Sequence, residues 1–341
     1  MTNGSPANLA VILEDCRQKL HDTHDSMRLV GLAQLMLEDI DPSPLLAEIA
    51  ICLDDPEEGV RQLAVSLLPK AGKGAVGPLI AATHADQPLQ VRIAAVAALG
   101  RLKGEAQPAV GLLIECLGDE EQNLRTNAIL SLSQIGEPAV PHLLACLGAG
   151  QENIQIGAID ALGWMGPPAM AAVGSLKAAL SGLSLPAQLA GYAALVKITG
   201  DVAEGLPMLL AQLGHQEAPV RRTCIERTGE LCAIAAGTLP ALLPYLQDPS
   251  GEVRAATALA LVRIKAQCDE AIETLIPLLL HDAHPEARIN AAIALATIGP
   301  AAQTALPALN TLTADPDKHL AGIAAAAIQR IEGRTSEGAG S

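Results

Sequence analysis

Small and apolar residues recur along this chain at helical spacing, and the whole arrangement returns about every 33 residues. The clearest copy is Val91-Arg92-Ile93-Ala94-Ala95-Val96-Ala97-Ala98-Leu99. Taking its Arg as position zero, the copies stand at Arg28, Arg61, Arg92, Arg125, Gln155, Gln188, Arg221, Arg254, Arg288 and Ala321. Three residues on, every copy has a small residue, from Gly31 to Ala324. Seven residues on stands Leu or a similar aliphatic, as at Leu35, Leu68, Leu99, Leu132, Leu162, Leu195 and Leu295, with Thr228 the exception. Offsets 3, 7 and 10 share one face of an α-helix. Each copy therefore predicts an amphipathic helix B whose small residue marks the closest approach of a neighbour.

A second helix, A, is predicted ahead of each. Pro78, Pro141, Pro207, Pro240 and Pro307 stand 14 residues before position zero, where Pro either opens a helix or kinks it. Gly72, Gly104, Gly136, Gly166, Gly200 and Gly299 fall at the junctions, as helix C-caps should. About ten αα-hairpins then form one continuous array over residues 6–332, followed by a polar, Gly-rich tail at 333–341 expected to be disordered.

These residues resemble the HEAT-repeat family, in the short bacterial HEAT-like type also found in phycobilisome lyases. The resemblance implies an all-α fold, a right-handed α-solenoid superhelix. It implies little about function, because this scaffold hosts unrelated roles.

Six residues before position zero most copies carry an acid: Asp22, Asp55, Asp86, Asp119, Asp248, Asp282 and Asp315. A carboxylate there precedes the N-terminus of helix B, where negative charge and free N–H groups favour it. The Arg one turn into helix B pairs either with this Asp or with its equivalent in a neighbouring repeat. Asp55, Arg61, Asp86, Arg92, Asp119, Arg125, Asp248, Arg254, Asp282 and Arg288 are thus read as a structural ladder. It lapses mid-chain, where Ala149, Gly182 and His215 replace the acid and Gln155 and Gln188 replace the Arg. The outward face changes in the same stretch. Asp160 and Trp164 stand at offsets 5 and 9 of one helix B, Lys197 follows on the next, and Arg222, Glu226 and Glu230 line the one after. The sole Trp stands where the other copies are mostly polar, as at Lys70, Arg101, Gln134, Lys197 and Arg263. It serves either as an exposed binding anchor or as cover for the junction at Gly163, Gly166 and Pro167-Pro168.

Composition narrows the function. Half of the residues are hydrophobic, yet there is no Phe, one Trp and two Tyr, so the core is built of Ala, Leu, Ile and Val. Net charge is −15, with 22 basic against 37 acidic residues and no basic block, which speaks against nucleic acid and anionic membranes. Seven cysteines without a CxxC, among them Cys52, Cys116 and Cys146 near helix ends, read as small buried residues. No apolar segment runs uninterrupted across a bilayer's width, and Met1–Pro6 has no basic leader, so a cytoplasmic protein is expected. His21-Asp-Thr-His24 and His281-Asp-Ala-His284 lack a third ligand of standard spacing, so no metal is assigned. No His-Glu pair of the hydroxylases that share the repeat, no phosphate loop and no nucleophile elbow is present.

The expectation is a non-catalytic protein-interaction scaffold without cofactor. It presents its helix-B face to a protein partner around Asp160, Trp164, Lys197, Arg222, Glu226 and Glu230. The alternative, which rests on the resemblance, is a chromophore-lyase-like enzyme or a regulatory subunit of an enzyme complex, with Cys224 or Cys232 beside Trp164 as candidates.

Overall fold

The computed structural model describes residues 6–148, 150–265 and 269–333; Ala149 and the tail beyond Gly333 lie outside the described residues. Among the described residues there are helices and turns and no strand. The chain divides into two compact units, Met1–Ser181 and Gly182–Ser341, each a stretch of α-solenoid. In the first, α1 (Pro6–Leu20) pairs with α2 (Asp25–Leu37), α3 (Leu46–Ile51) with α4 (Glu58–Leu67), α5 (Val76–Ala81) with α6 (Leu89–Arg101), α7 (Val110–Cys116) with α8 (Gln122–Ile135), and α9 (Val140–Cys146) with α10 (Glu152–Met165), before α11 (Val173–Leu180). The second opens on α12 (Leu185–Thr199). There α13 (Leu206–Ala211) pairs with α14 (Ala218–Glu230), α15 (Leu239–Leu242) with α16 (Gly251–Ile264), α17 (Asp269–His281) with α18 (Pro285–Ile298), and α19 (Leu306–Leu312) with α20 (Lys318–Ile331).

The choice left open for the prolines resolves to the first turn. Pro141, Pro207, Pro240 and Pro307 are second in α9, α13, α15 and α19, and Pro78 is third in α5. An N–H is missing there at no cost, because the first turn has no partner for it. The junctions correct one expectation. At offset 11 the backbone turns left-handed at Gly72, Gly136, Gly166 and Gly299, but also at Asp39, Lys103, Cys232 and Lys265. In the third repeat the special residue is thus Lys103 (φ 53°), not Gly104. The turn is imposed by the hairpin and accepted by residues other than Gly.

The offset-3 and offset-7 positions form the core. Ala64, Ala95, Ala128, Ala158, Ala291 and Ala324 are wholly buried, as are Leu35, Leu68, Leu99, Leu132, Leu162 and Leu295. Thr228 is tolerated among them because its hydroxyl donates to the Cys224 carbonyl at 2.8 Å. Helices approach closely where small residues meet: a Cβ on Gly229 would sit 2.9 Å from that of Ala260. Such spacing leaves no room for Phe.

The ladder joins successive repeats rather than closing within one. Five of the Arg residues reach forward to the Asp of the next repeat: Arg28 to Asp55, Arg92 to Asp119, Arg221 to Asp248, Arg254 to Asp282 and Arg288 to Asp315, at 2.5–2.8 Å. Arg254 also holds its own turn, as its Nη1 donates to the carbonyls of Asp248 (2.7 Å) and Pro249 (3.2 Å). The Asp accepts the N–H two residues on, at the N-cap, rather than from inside the helix: Asp55 from Glu57, Asp248 from Ser250, Asp282 from His284. Asp86 is a correction. It is exposed and makes no ion pair among the described residues, and Arg61 bonds only the carbonyls of Asp55 and Pro56. The third repeat is two residues short, which brings Pro88 to the place an acid would need. Where the ladder lapses, its parts are replaced together. Gln155 and Gln188 donate to the carbonyls of Leu147 and Leu183, and His215 Nδ1 accepts the Glu217 N–H in the manner of the missing Asp.

Residues 285–312 are long and apolar enough, by length and composition, to cross a membrane, contrary to the sequence expectation. In the structure they are not one rod: Gly299 (φ 70°) separates α18 from α19, and half of the most apolar stretch is packed inside the second unit.

A candidate protein-binding groove on the second unit

The outward faces of α14, α16 and α18 enclose a groove of about 570 Å³. From α14 come Arg222 and Glu226, one turn apart; from α16, Glu252, Ala255, Ala256 and Leu259; from α18 and its N-cap, His284, Glu286 and Asn290. Two devices hold the third wall. Asn290 Nδ2 donates to the Ala255 carbonyl at 3.0 Å. Gly251 lets the start of α18 come in, since a Cβ there would lie 2.6 Å from the His284 Cβ.

Charge in the groove is unbalanced. Arg222 Nη1 donates to Glu252 at 2.8 Å, and its Nε lies 3.4 Å from Glu226. Three carboxylates thus face one guanidinium. Partial burial pushes the Glu226 carboxyl above its ordinary range, against the pull of Arg222 and Arg227. His284 Nδ1 is buried and has no hydrogen-bond partner among the described residues. The groove therefore offers hydrogen-bond acceptors and negative charge above an apolar floor of Ala255, Ala256 and Leu259.

The six residues expected at a partner surface fall in both units. Arg222 and Glu226 line the groove. Lys197 and Glu230 are mostly covered and joined at 2.8 Å, with Arg227 3.3 Å from the same carboxylate. Burial pushes the Glu230 carboxyl up, but Arg227 and Lys197 outweigh it and hold it low. Those charges serve each other. Asp160 and Trp164 belong to the first unit, where Asp160 is half-buried and Trp164 is 52% exposed. Glu252, His284, Glu286 and Asn290 were not anticipated. Their signal was the run of polar residues at offsets −4, −2 and 2 in adjacent repeats.

Other candidate chemistry recedes. Cys224 is wholly buried, and that burial pushes its thiol up to about 12. Cys232 is exposed. Cys52 and Cys116 are buried, with thiols raised to about 11. Among the described residues no three His, Cys, Asp or Glu side chains gather as for a metal ion, and His24 instead bonds Asp22 at 3.0 Å.

Comparison with known proteins agrees with this architecture. A model of HEAT repeats matches residues 76–163, 110–195, 206–276 and 272–337. No curated protein sequence matches significantly. Among solved structures, the chain is similar to yeast importin-β (13% identity, TM-score 0.52), covering 98% of this chain and 52% of that one. It is also similar to the complex of CpcE and CpcF of phycocyanin lyase from Nostoc (22%, 0.39; 67% and 92% covered). A third is human deoxyhypusine hydroxylase (21%, 0.37; 76% and 97% covered). The chain spans about half the length of the importin-type chains it matches. At these identities the likeness is one of fold.

Proposed function

We propose that this chain, which belongs to the HEAT-repeat family, is a non-catalytic interaction scaffold that seats a positively charged segment of a protein partner on the second unit. The observation that carries this reading is the groove of α14, α16 and α18, with Glu226, Glu252 and Glu286 facing one Arg222. An extended peptide suits its size, and Lys or Arg side chains complement its charge. The apolar floor takes the aliphatic stems while the carboxylates take the charged heads. Trp164 is a second anchor in this reading, on the first unit.

The test is titration of the full chain with a fluorescent Lys/Arg-rich dodecapeptide at low salt, beside an acidic control. Saturable binding of the basic peptide is expected. Glu226→Gln with Glu252→Gln should weaken it about tenfold or more, the worth of one good charge-assisted bond. Absence of binding, or binding indifferent to the double substitution, removes the groove from the proposal. Trp164→Ala tests the second anchor by the same readout with a native partner. An absorbance change on titration with a linear tetrapyrrole would instead favour the lyase-type alternative, for which exposed Cys232 is the remaining thiol of the two named.

A further inference from the structure

The first repeat is built like the inner ones but meets no preceding hairpin among the described residues. Asp22 Oδ1 accepts the His24 N–H at 2.8 Å, and Arg28 Nη1 donates to the Asp22 carbonyl at 2.9 Å. The turns at Asp55 and Asp248 are made the same way. Five inner Asp residues of the ladder, Asp55, Asp119, Asp248, Asp282 and Asp315, also receive the guanidinium of an Arg 27 or 28 residues earlier, Asp86 being the exception set by its short repeat. Among the described residues Asp22 receives none: its Oδ1 meets only His24, and its Oδ2 makes no hydrogen bond.

The apolar positions beside it are uncovered in the same sense. At offset −1, Val60, Val91, Leu124, Val253 and Ala287 are at most 2% exposed, whereas Met27 is 37% exposed. At offset 2 the later repeats are buried or half-buried, whereas Val30 is 49% exposed. Inner repeats show what covers these places. A Cβ on Gly157, at offset 2, would lie 3.0 Å from Leu117 of the repeat before, and Asn290, also at offset 2, bonds Ala255 of the repeat before.

We propose that this edge of the first unit docks an Arg-bearing helical hairpin of a partner protein, stacked as one more repeat, with its guanidinium on Asp22 and its apolar face on Met27 and Val30. The internal rungs supply the template for both contacts. A second copy of this chain does not fit. Its last repeat carries Ala321 in place of the Arg, and edge against edge would set Asp22 against Asp22. The surface is separate from the groove and does not depend on it.

The test uses the full chain and, as probe, a synthetic peptide of residues 199–231, which contains α13, α14 and Arg221. Saturable binding is expected, with slowed amide exchange in α2. Asp22→Asn in the chain, or Arg221→Ala in the peptide, should weaken it about tenfold. Binding that survives both substitutions overturns the proposal. A second arm covers a peptide that does not fold alone. In it, a copy of residues 199–232 replaces residues 1–6 directly ahead of Ala7, which keeps the copied Cys232 at the left-handed junction and sets the copied Arg 27 residues before Asp22, the separation of Arg221 from Asp248. The thermal midpoint should rise by several degrees, and the rise should disappear with Asp22→Asn. That result upholds the face even if the free peptide does not bind; an unchanged midpoint, or a rise indifferent to Asp22→Asn, overturns it.

Discussion

Arg254 shows how one side chain serves two repeats. Its Nη1 closes its own turn, while Nε and Nη2 grip both oxygens of Asp282 at 2.6 and 2.7 Å. The planar fork suits a carboxylate held in this bidentate way, which a Lys would not reproduce. Asp282 is nearly covered, so removing the Arg strands a carboxylate away from water. Arg254→Ala should lower the stability of the second unit by about 2–4 kcal/mol in urea unfolding. Arg125→Ala, which loses only turn carbonyls, should cost about 1 kcal/mol. The pH dependence follows with a definite sign. Arg254 holds the Asp282 carboxyl below its ordinary value of 3.8. Stability from the pair is full above that value and is lost as pH falls through the lower, folded one, because the unfolded chain takes up the proton first. The urea midpoint should therefore fall more steeply below about pH 4 in the parent than in Asp282→Asn; parallel curves would refute the assignment. The recurrence of Asp and Arg was legible in the sequence, but its partner was not. In a regular repeat a spacing of six and a spacing of 27 or 28 recur alike. Only the short third repeat separates them, where Arg61 and Asp86 fail to pair.

At the scale of the helix, B helices were legible from small and apolar offsets alone, because one face of each is buried against two neighbours. The A helices were less so. Apart from α1 and α17 they are short; several begin in 3-10 turns such as Glu137–Ala139 and Cys232–Thr238, with a Pro in the first turn of the α-helix. The end of α6 carries two opposite predictions. A Cβ on Gly100 would lie 2.8 Å from the Ser131 Cα and 2.7 Å from its Oγ, which donates to the Val96 carbonyl. Gly100→Ala gains about 1 kcal/mol of helix propensity but forces α8 away, and overpacking costs about 1–3 kcal/mol. It should destabilise, whereas Gly111→Ala, with open space around it in α7, should stabilise by about 0.5–1 kcal/mol. Three residues past Gly100, Lys103 is held at φ 53°. A side chain there costs about 1–2 kcal/mol that Gly avoids, less the greater freedom of Gly in the unfolded chain. Lys103→Gly should raise the thermal midpoint, and a lowered midpoint would show that the lysine makes a compensating contact.

At the scale of the molecule, the groove illustrates what a repeat sequence hides. Arg222 and Glu226 could be singled out as polar residues on an outward face. Glu252, Glu286 and Asn290 each look like ordinary solvated positions in their own repeat, and only three helices side by side turn them into one wall. The same nearest-neighbour logic governs stability, since a solenoid's stability is close to a sum of repeat and interface terms. Among the described residues the second unit has three consecutive Arg–Asp rungs, from Arg221, Arg254 and Arg288, whereas the first has two that are not consecutive, from Arg28 and Arg92. Amide exchange on the full chain should therefore be slowest in α16 and α18. In the first unit α10 should exchange faster than α8, because Arg125 reaches no carboxylate among the described residues while α6 is tied to α8's turn by Arg92. Removing the middle rung with Arg254→Ala should bring α16 and α18 down toward the first unit's level and leave α6 and α8 unchanged. If α16 keeps its protection in that variant, the small-residue packing of the B helices, rather than the ladder, sets the order of opening.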